Sequence, residues 1–337
     1  MKFIHLADVH LADSYNFDKT LSKKIREASW QSLSNILNSN KDVDFALIAG
    51  DLFERAYFTA SDFKRLFSIF EDFSKDIYYV SGNHDYFDSY NSIFLENSPE
   101  NFHVFGSENL EVFEKDKLRV YGISYKDRIF SKDLDLSISL DDEFFNIFLI
   151  HGDVDREESN YFSLNSKIMT ETNFDYIAMG HIHKAHRIDG IYYPGSVEPH
   201  DFTDIYDYGY IRYDDGKVSF IDSSILKFYD MSVNFRDFDN EDDLLAFINQ
   251  KLLDKKNIVR LEISSDKDID ERFIRNNIDA IYKEIHIKNE RDLSDMVRLF
   301  PNSLLSLYSQ KFDNSSGEIE KLALDIGLDA ILRSKDD

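Results

Sequence analysis

The chain has 337 residues, 42% of them hydrophobic and 15% aromatic, with 64 acidic residues against 39 basic ones for a formal net charge of −25. The apolar content suffices for a buried core and the length suggests two domains, while four Pro and twelve Gly exclude a low-complexity or linker-rich chain. Cysteine is absent, which excludes a disulfide framework, a thiolate metal site and a cysteine nucleophile, and the negative field argues against a tight, autonomous DNA binder.

In chain order, residues 2–7 read as a buried strand. A helical pattern follows from about Leu21 to Leu37, with Ile25, Trp30, Leu33, Ile36 and Leu37 at helical spacing. Phe45 to Ala49 is an apolar run of strand length ended by Gly50. Ser61 to Phe73 predicts a second amphipathic helix with Ser61 as its cap, and Ile77 to Val80 a third strand. Further strands are expected at 118–123, 145–150 and 175–179. Short alternating segments at 184–194 and 209–222 follow, with turns at Asp189-Gly190 and Asp215-Gly216. Alternating strands and helices giving way to strands predict an α/β sandwich with mixed sheets and outer helices. After about Ser224 the character changes. A helix from Glu241 to Leu253, a strand over 258–263, a helix from Asp270 to Ile278 and a strand over 282–287 precede helical patterns at 302–312 and 318–332. No apolar run approaches the roughly 20 residues of a membrane span, and no signal-peptide pattern opens the chain. The expectation is a soluble cytoplasmic protein.

Five polar clusters each follow an apolar strand: Asp8-Val9-His10, Gly50-Asp51, Gly82-Asn83-His84-Asp85, His151-Gly152 and Gly180-His181-Ile182-His183. One such cluster is commonly a turn or a helix cap. Five in succession point to one site, because open α/β sheets bind ligands beyond the carboxyl ends of their strands. Alternate residues of an extended segment point the same way, so Asp8 and His10 can offer an oxygen and a nitrogen to one metal, as can His181 and His183 together. Asp51 can bridge two ions with its two oxygens, and Asn83 is a neutral oxygen ligand. This donor set suits manganese, iron or zinc better than calcium. Two ions roughly 3.5–4 Å apart can clamp a phosphate ester and generate a hydroxide nucleophile. His84, beside a ligand, is placed to protonate the leaving oxygen, with Asp85 as a candidate to orient it. Of the other histidines, His5 is expected to pack, and His103 and His286 to be exposed or structural. His186 and His200 are minor candidates for touching substrate.

These blocks resemble the calcineurin-like metallophosphoesterases over about residues 1–225. Within them the chain is similar to the SbcD group of DNA-repair exonuclease subunits, in particular the YhaO-type proteins. The carrying residues are Lys2 to Leu11, Ala49-Gly50-Asp51-Leu52-Phe53, Ser81-Gly82-Asn83-His84-Asp85, Ile150 to Val154, Met179 to Lys184, and Tyr193-Pro194-Gly195-Ser196. The resemblance implies a four-layer αββα fold and two manganese ions, with iron or zinc as alternatives. One ion would be held by Asp8, His10, Asp51 and His183, the other by Asp51, Asn83, His151 and His181, with His84 as catalyst. It implies phosphodiester hydrolysis in DNA by a metal-bound hydroxide, with an SbcC-type coiled-coil ATPase as partner; a homodimer is compatible with it. Residues 226–290 would form a small α+β capping domain, and the helices of 291–337 a docking segment for the partner. Many nucleases of the group carry a second histidine just after the Gly-Asp-Leu-Phe block, where this chain has Glu54. That departure and the acidic charge keep open a small-molecule phosphodiesterase or phosphatase acting on nucleotides. Lys184, Arg187 and Ser196 are the candidate substrate contacts. Lys126 and Arg128 add basic charge near the same face.

Overall fold

The computed structural model describes residues 1–87, 95–130, 138–156, 159, 161–166, 172–289, 301–312 and 317–334. Its first strands, β1 (Lys2–Leu6), β2 (Phe45–Ala49) and β3 (Asp76–Val80), are apolar on both faces because both faces are covered. Ile4, Leu6, Ala46, Ile48, Ile77 and Tyr79 share one core with Trp30, Leu33, Ile36, Phe63, Leu66 and Phe70. Those partners belong to the helices α1 (Lys19–Ser39) and α2 (Ala60–Phe73). The alternate residues Phe3, Phe45, Leu47, Tyr78 and Val80 share a second core with Val120, Ile147, Leu149, Tyr176 and Ala178. Each fully buried side chain of this kind contributes about 1.5–3 kcal/mol relative to exposure.

That second core lies between two six-stranded sheets. Beyond β3 come β4 (Phe102–Val104), β5 (Glu111–Lys115), β6 (Leu118–Gly122), β7 (Phe145–His151), β8 (Asp153–Val154) and β9 (Ser163–Leu164). They are followed by β10 (Tyr176–Gly180), β11 (His186–Ile188), β12 (Ile191–Tyr193), β13 (Gly209–Asp214) and β14 (Lys217–Asp222). The first sheet runs β14-β13-β1-β2-β3-β4 and the second β11-β12-β10-β7-β6-β5, while β8 and β9 pair separately. The strands β1 to β4 are parallel to one another, as are β6, β7, β10 and β12. The outer strands β5, β11, β13 and β14 join antiparallel. This is a mixed α/β sandwich, as expected. Parallel neighbours put the carboxyl ends of β1, β2 and β3 side by side, and likewise those of β7 and β10.

Two hairpin turns expected from Asp-Gly pairs are present. Asp189 and Gly190, then Asp215 and Gly216, all have positive φ, as a type I′ turn requires. The cap of α2 is one turn-residue pair earlier than expected. Thr59 rather than Ser61 caps it, in a reciprocal box with Asp62. The amide of Asp62 is thereby satisfied, while Ser61 already lies inside the helix. The strands β4 and β5 had no clear alternating signal, since β4 has three residues and β5 is largely exposed.

Compactness divides the chain into two units. One comprises 1–230, 252–260 and 279–283, the other 231–251, 261–278 and 284–337. The second unit contains the helices Glu241–Lys251, Glu271–Asn277, Leu304–Ser309 and Glu318–Arg333. A three-stranded sheet orders β15 (Leu226–Asn234), β16 (Lys256–Ser265) and β17 (Tyr282–Asn289) consecutively. No helix among the described residues is long and apolar enough to cross a membrane.

Glu198 ties α1 to the segment after β14. Its carboxylate accepts from Ser32 Oγ and from the backbone amides of Ile225 (2.6 Å) and Leu226 (3.0 Å). Burial pushes its pKa from 4.5 to about 7, against those hydrogen bonds. A raised carboxyl pKa means that this group's stabilisation is complete below about pH 4.5 and is lost as the pH rises toward 7. The loss amounts to up to about 3 kcal/mol. Urea unfolding between pH 4.5 and 7.5 should therefore show a smaller fall in stability for Glu198→Gln than for the wild type. Parallel pH profiles would refute the assignment.

Candidate metal centre

The five polar clusters meet where the strand ends of the two sheets converge. Gly180 closes β10 so tightly that a Cβ there would stand 1.9 Å from the Ala49 carbonyl oxygen at the end of β2. A Cβ at Gly50 would stand 2.4 Å from Nδ1 of His151, and one at Gly82 would stand 2.3 Å from an Asp51 oxygen. The glycines before the polar residues thus bring one sheet's ligands against the other's. The polar residues themselves leave the strands in unusual conformations. Asp8, His10 and Asp51 have φ of 51°, 47° and 50°, and His181 has φ of 101°. Such positions cost on the order of 1–3 kcal/mol each and cluster at functional sites.

Asp51 stands at the middle. Its Oδ2 lies 3.3 Å from His151 Nε2 and 3.8 Å from His10 Nε2, and its Oδ1 accepts the His84 amide at 2.9 Å. On one side of it, Asp8, His10 and Asp51 bring donor atoms within 4.8 Å of one another. His183 packs at 5.3 Å from His10, ring centre to ring centre. On the other side, His151 Nε2 is 3.0 Å from Asn83 Oδ1, and the rings of His151 and His181 are 5.2 Å apart. Asp8, His10, Asp51, Asn83 and His151 are all buried.

Hydrogen bonds settle which imidazole nitrogens turn toward the centre. His151 donates from Nδ1 to the Ala49 carbonyl at 2.9 Å, which turns Nε2 inward. His183 donates from Nδ1 to Asp204 at 2.9 Å, a carboxylate–histidine pair of the kind that orients metal ligands. Neither ring nitrogen of His10 has a hydrogen-bond partner among the described residues, and both are buried. An unsatisfied buried polar atom costs about 1–3 kcal/mol, so a partner outside the protein is called for. Four imidazoles, two carboxylates and a carboxamide, with such orphaned nitrogens among them, fit divalent transition metals.

Electrostatics point the same way. Burial opposes charge on His151, yet the Asp51 charge and hydrogen bond and the Asp8 charge outweigh it and lift its pKa to about 9. Burial would raise Asp51, but His151 and His10 hold it well below the usual carboxylate range. The proton on His151 occupies the place of a cation. Burial pushes His10 well below its ordinary value, and burial with the neighbouring His183 charge pushes His200 down to about 3.

His84 does not pair with Asp85. Its Nδ1 donates to Glu54 Oε2 at 2.6 Å. Burial works against its charge, but Glu54 and Asp51 raise its pKa to about 9, so the ring is protonated at neutral pH. Asp85 is fully buried and occupied elsewhere: it accepts from the amides of Asp51, Leu52 and Gly82 and from the Tyr79 hydroxyl at 2.7 Å. It stitches the end of β2 to the end of β3. Glu54, marked in the sequence only as a departure, is the residue that orients His84.

The other candidates fall in different surroundings. Lys184 and Arg187 line a 660 Å³ cleft with Tyr192, Tyr206 and Phe220, and Arg187 lies 5.0 Å over the Tyr192 ring. Ser196 is buried with no partner for its hydroxyl among the described residues. His186 stacks on Tyr193 at 4.4 Å. His5 is buried and bonds the Tyr176 hydroxyl at 3.1 Å, His103 pairs with Asp76, and His286 pairs with Glu284 on the surface. Asp204 had no motif to mark it, and Asp153 stood in the Ile150 to Val154 block without an assigned role. Asp153 is buried 3.9 Å from His181, and only the fold brings Asp204 to the centre.

The family model for calcineurin-like phosphoesterase matches residues 1–185, more than half of the chain and all five clusters. The chain belongs to the calcineurin-like phosphoesterases. A comparison with curated proteins returns no match. A calcineurin-like phosphoesterase is a metal-dependent hydrolase of phosphoester bonds, and the buried histidine and carboxylate groups of this chain are its candidate metal-holding clusters. A cation taken at His151 must displace the proton there, so binding should release protons and strengthen as the pH rises toward 9. Calorimetric titration with manganese at pH 7, in buffers of different ionisation enthalpy, should report about one proton released through this histidine. A proton count near zero would contradict the ligand role.

Proposed function

We propose that the centre holds two divalent ions, manganese by preference, and hydrolyses phosphodiester bonds in DNA. Asp8, His10, Asp51 and His183 take one ion, and Asp51, Asn83, His151 and His181 the other. The position of Asp51 between the His10 and His151 groups supports the sharing. Bound there, the cations supply Lewis acidity and a water acidified to near-neutral pKa. His84, held protonated by Glu54, donates to the leaving oxygen or stabilises the charge that develops on the phosphorus oxygens.

The observation that carries the DNA reading is a 460 Å³ cleft beside the centre. Asn83 and His84 line it together with Arg55, Arg128, Tyr57 and Tyr86. Guanidinium groups suit backbone phosphates, and aromatic faces suit unpaired bases. The Arg55 guanidinium already lies 4.5 Å over the Tyr86 ring. A charge of −25 still disfavours DNA at long range, and a partner that supplies positive surface resolves the conflict.

That partner is an SbcC-type coiled-coil ATPase, docked on the last helix. Ile319, Leu322 and Ile326 stand 83%, 61% and 62% exposed along it, at the spacing of one helical face. Leu322→Asp should abolish co-elution with the ATPase while leaving hydrolysis of a small phosphodiester unchanged. Undiminished co-elution would sink the docking assignment.

The protein with manganese should cleave single- or double-stranded DNA when the ATPase is added. Hydrolysis restricted to cyclic nucleotides or a generic phosphodiester would replace the nuclease reading with a small-molecule phosphodiesterase. Asp51→Asn should lose all activity and both ions. His84→Ala should keep its metal and lose about 10²- to 10⁴-fold in turnover, the range of a general acid. Loss of metal from His84→Ala would show it to be a ligand instead.

A further inference from the structure

A third imidazole stands on the His10 side of the centre. His10, His183 and His200 each bring a ring nitrogen within 4.8 Å of the other two. The His200 ring lies 4.8 Å from that of His10 and 4.9 Å from that of His183, and the rings meet nearly at right angles. Nε2 of His200 is buried without a hydrogen-bond partner among the described residues, as are both nitrogens of His10. Nδ1 of His183 is engaged by Asp204, which leaves Nε2 as the nitrogen it can offer. The Tyr15 ring lies 6.0 Å from that of His200. His200 lies beyond the segment matched to the family, which ends at residue 185.

Three edge-to-face imidazoles with nitrogens this close, those of His10 and Nε2 of His200 buried and unsatisfied, are a poor arrangement unless something accepts their lone pairs. Protonation cannot serve, because three adjacent cations would repel. A metal ion would, because it takes the lone pairs of several imidazoles at once.

We infer that His200 is a fifth protein ligand, through Nε2, of the ion held by Asp8, His10, Asp51 and His183. This rests on the two-ion reading above. The two sites then differ in kind. The His200 site presents three imidazoles and two carboxylates and is nearly closed. The other presents two imidazoles, the shared carboxylate and a carboxamide, and keeps positions for water and phosphate.

Titration of the chelator-stripped full chain with cobalt(II), followed by calorimetry and visible absorption, separates the possibilities. The wild type should show two binding events, the tighter one with the intermediate absorption of a five-coordinate ion. In His200→Ala and His200→Gln the tighter event should weaken by more than about 100-fold, beyond the 10- to 100-fold typical of residues that only orient a ligand. Its absorption should change intensity as the coordination number falls, and the second event should hold its affinity. A loss of 100-fold or less, an unchanged cobalt spectrum, or equal weakening of both events in both variants overturns the assignment. Asp51→Asn distinguishes the two levels of the argument. If it loses both events while the His200 variants keep both, His200 is not a ligand and the two-ion reading stands. If Asp51→Asn keeps both events, the two-ion reading itself fails.

Discussion

The Asp51 carboxylate is the point on which the molecule turns. It is buried, 3.3 Å from one histidine and 3.8 Å from another, and its second oxygen holds the backbone of His84. An isolated carboxylate so placed would be expensive to ionise, and only opposite charge offsets the loss of water. The histidines around it answer that demand, His151 by carrying a proton that a cation can replace. Each ring is set by a fixed acceptor: the Ala49 carbonyl for His151 and Asp204 for His183. The nitrogens left over are therefore aimed before any ligand arrives, so little ordering remains for binding.

Getting five strand ends to one carboxylate demands close approach and strain together. The junction of the sheets has no room for a Cβ at Gly50, Gly82 or Gly180. In return, Asp8, His10, Asp51 and His181 accept left-handed backbone conformations. Asp85 holds this geometry through four hydrogen bonds that span the ends of β2 and β3. The aromatic richness of the chain serves the same end. Phe3, for instance, stacks on Phe45 and Tyr213 and meets Tyr176 edge-on between the sheets, which stiffens the platform below the site.

Around the centre, outer carboxylates fix neighbouring histidines in the same way. Glu54 engages Nδ1 of His84 and Asp204 engages Nδ1 of His183, and each carboxylate raises the pKa of its ring against burial. The same physical pair, imidazole to carboxylate, thus sets both rings. What differs is the second nitrogen: His84 borders the cleft that Arg55 and Tyr86 line, whereas His183 faces His10 and His200.

The architecture was legible in the linear chain wherever period and punctuation agreed. Residues 45–49 and 77–80 announce buried strands because an unbroken apolar run of that length fits only a sheet covered on both faces. The Asp-Gly turns and the order of the polar clusters after the strands were equally local, and so was the membership of the phosphoesterase family. What the chain could not declare were pairings made at long range. His84 follows Asn83 and precedes Asp85, yet its partner is Glu54, thirty residues away. Asp204 and His200 carry no spacing that ties them to His10, because the distance is closed only when β1 and β10 end beside each other. By itself, then, the sequence determined which residue types would crowd the strand ends. The tertiary structure decided which nitrogen faces which oxygen, because hydrogen-bond direction depends on the angle at which two distant strands meet.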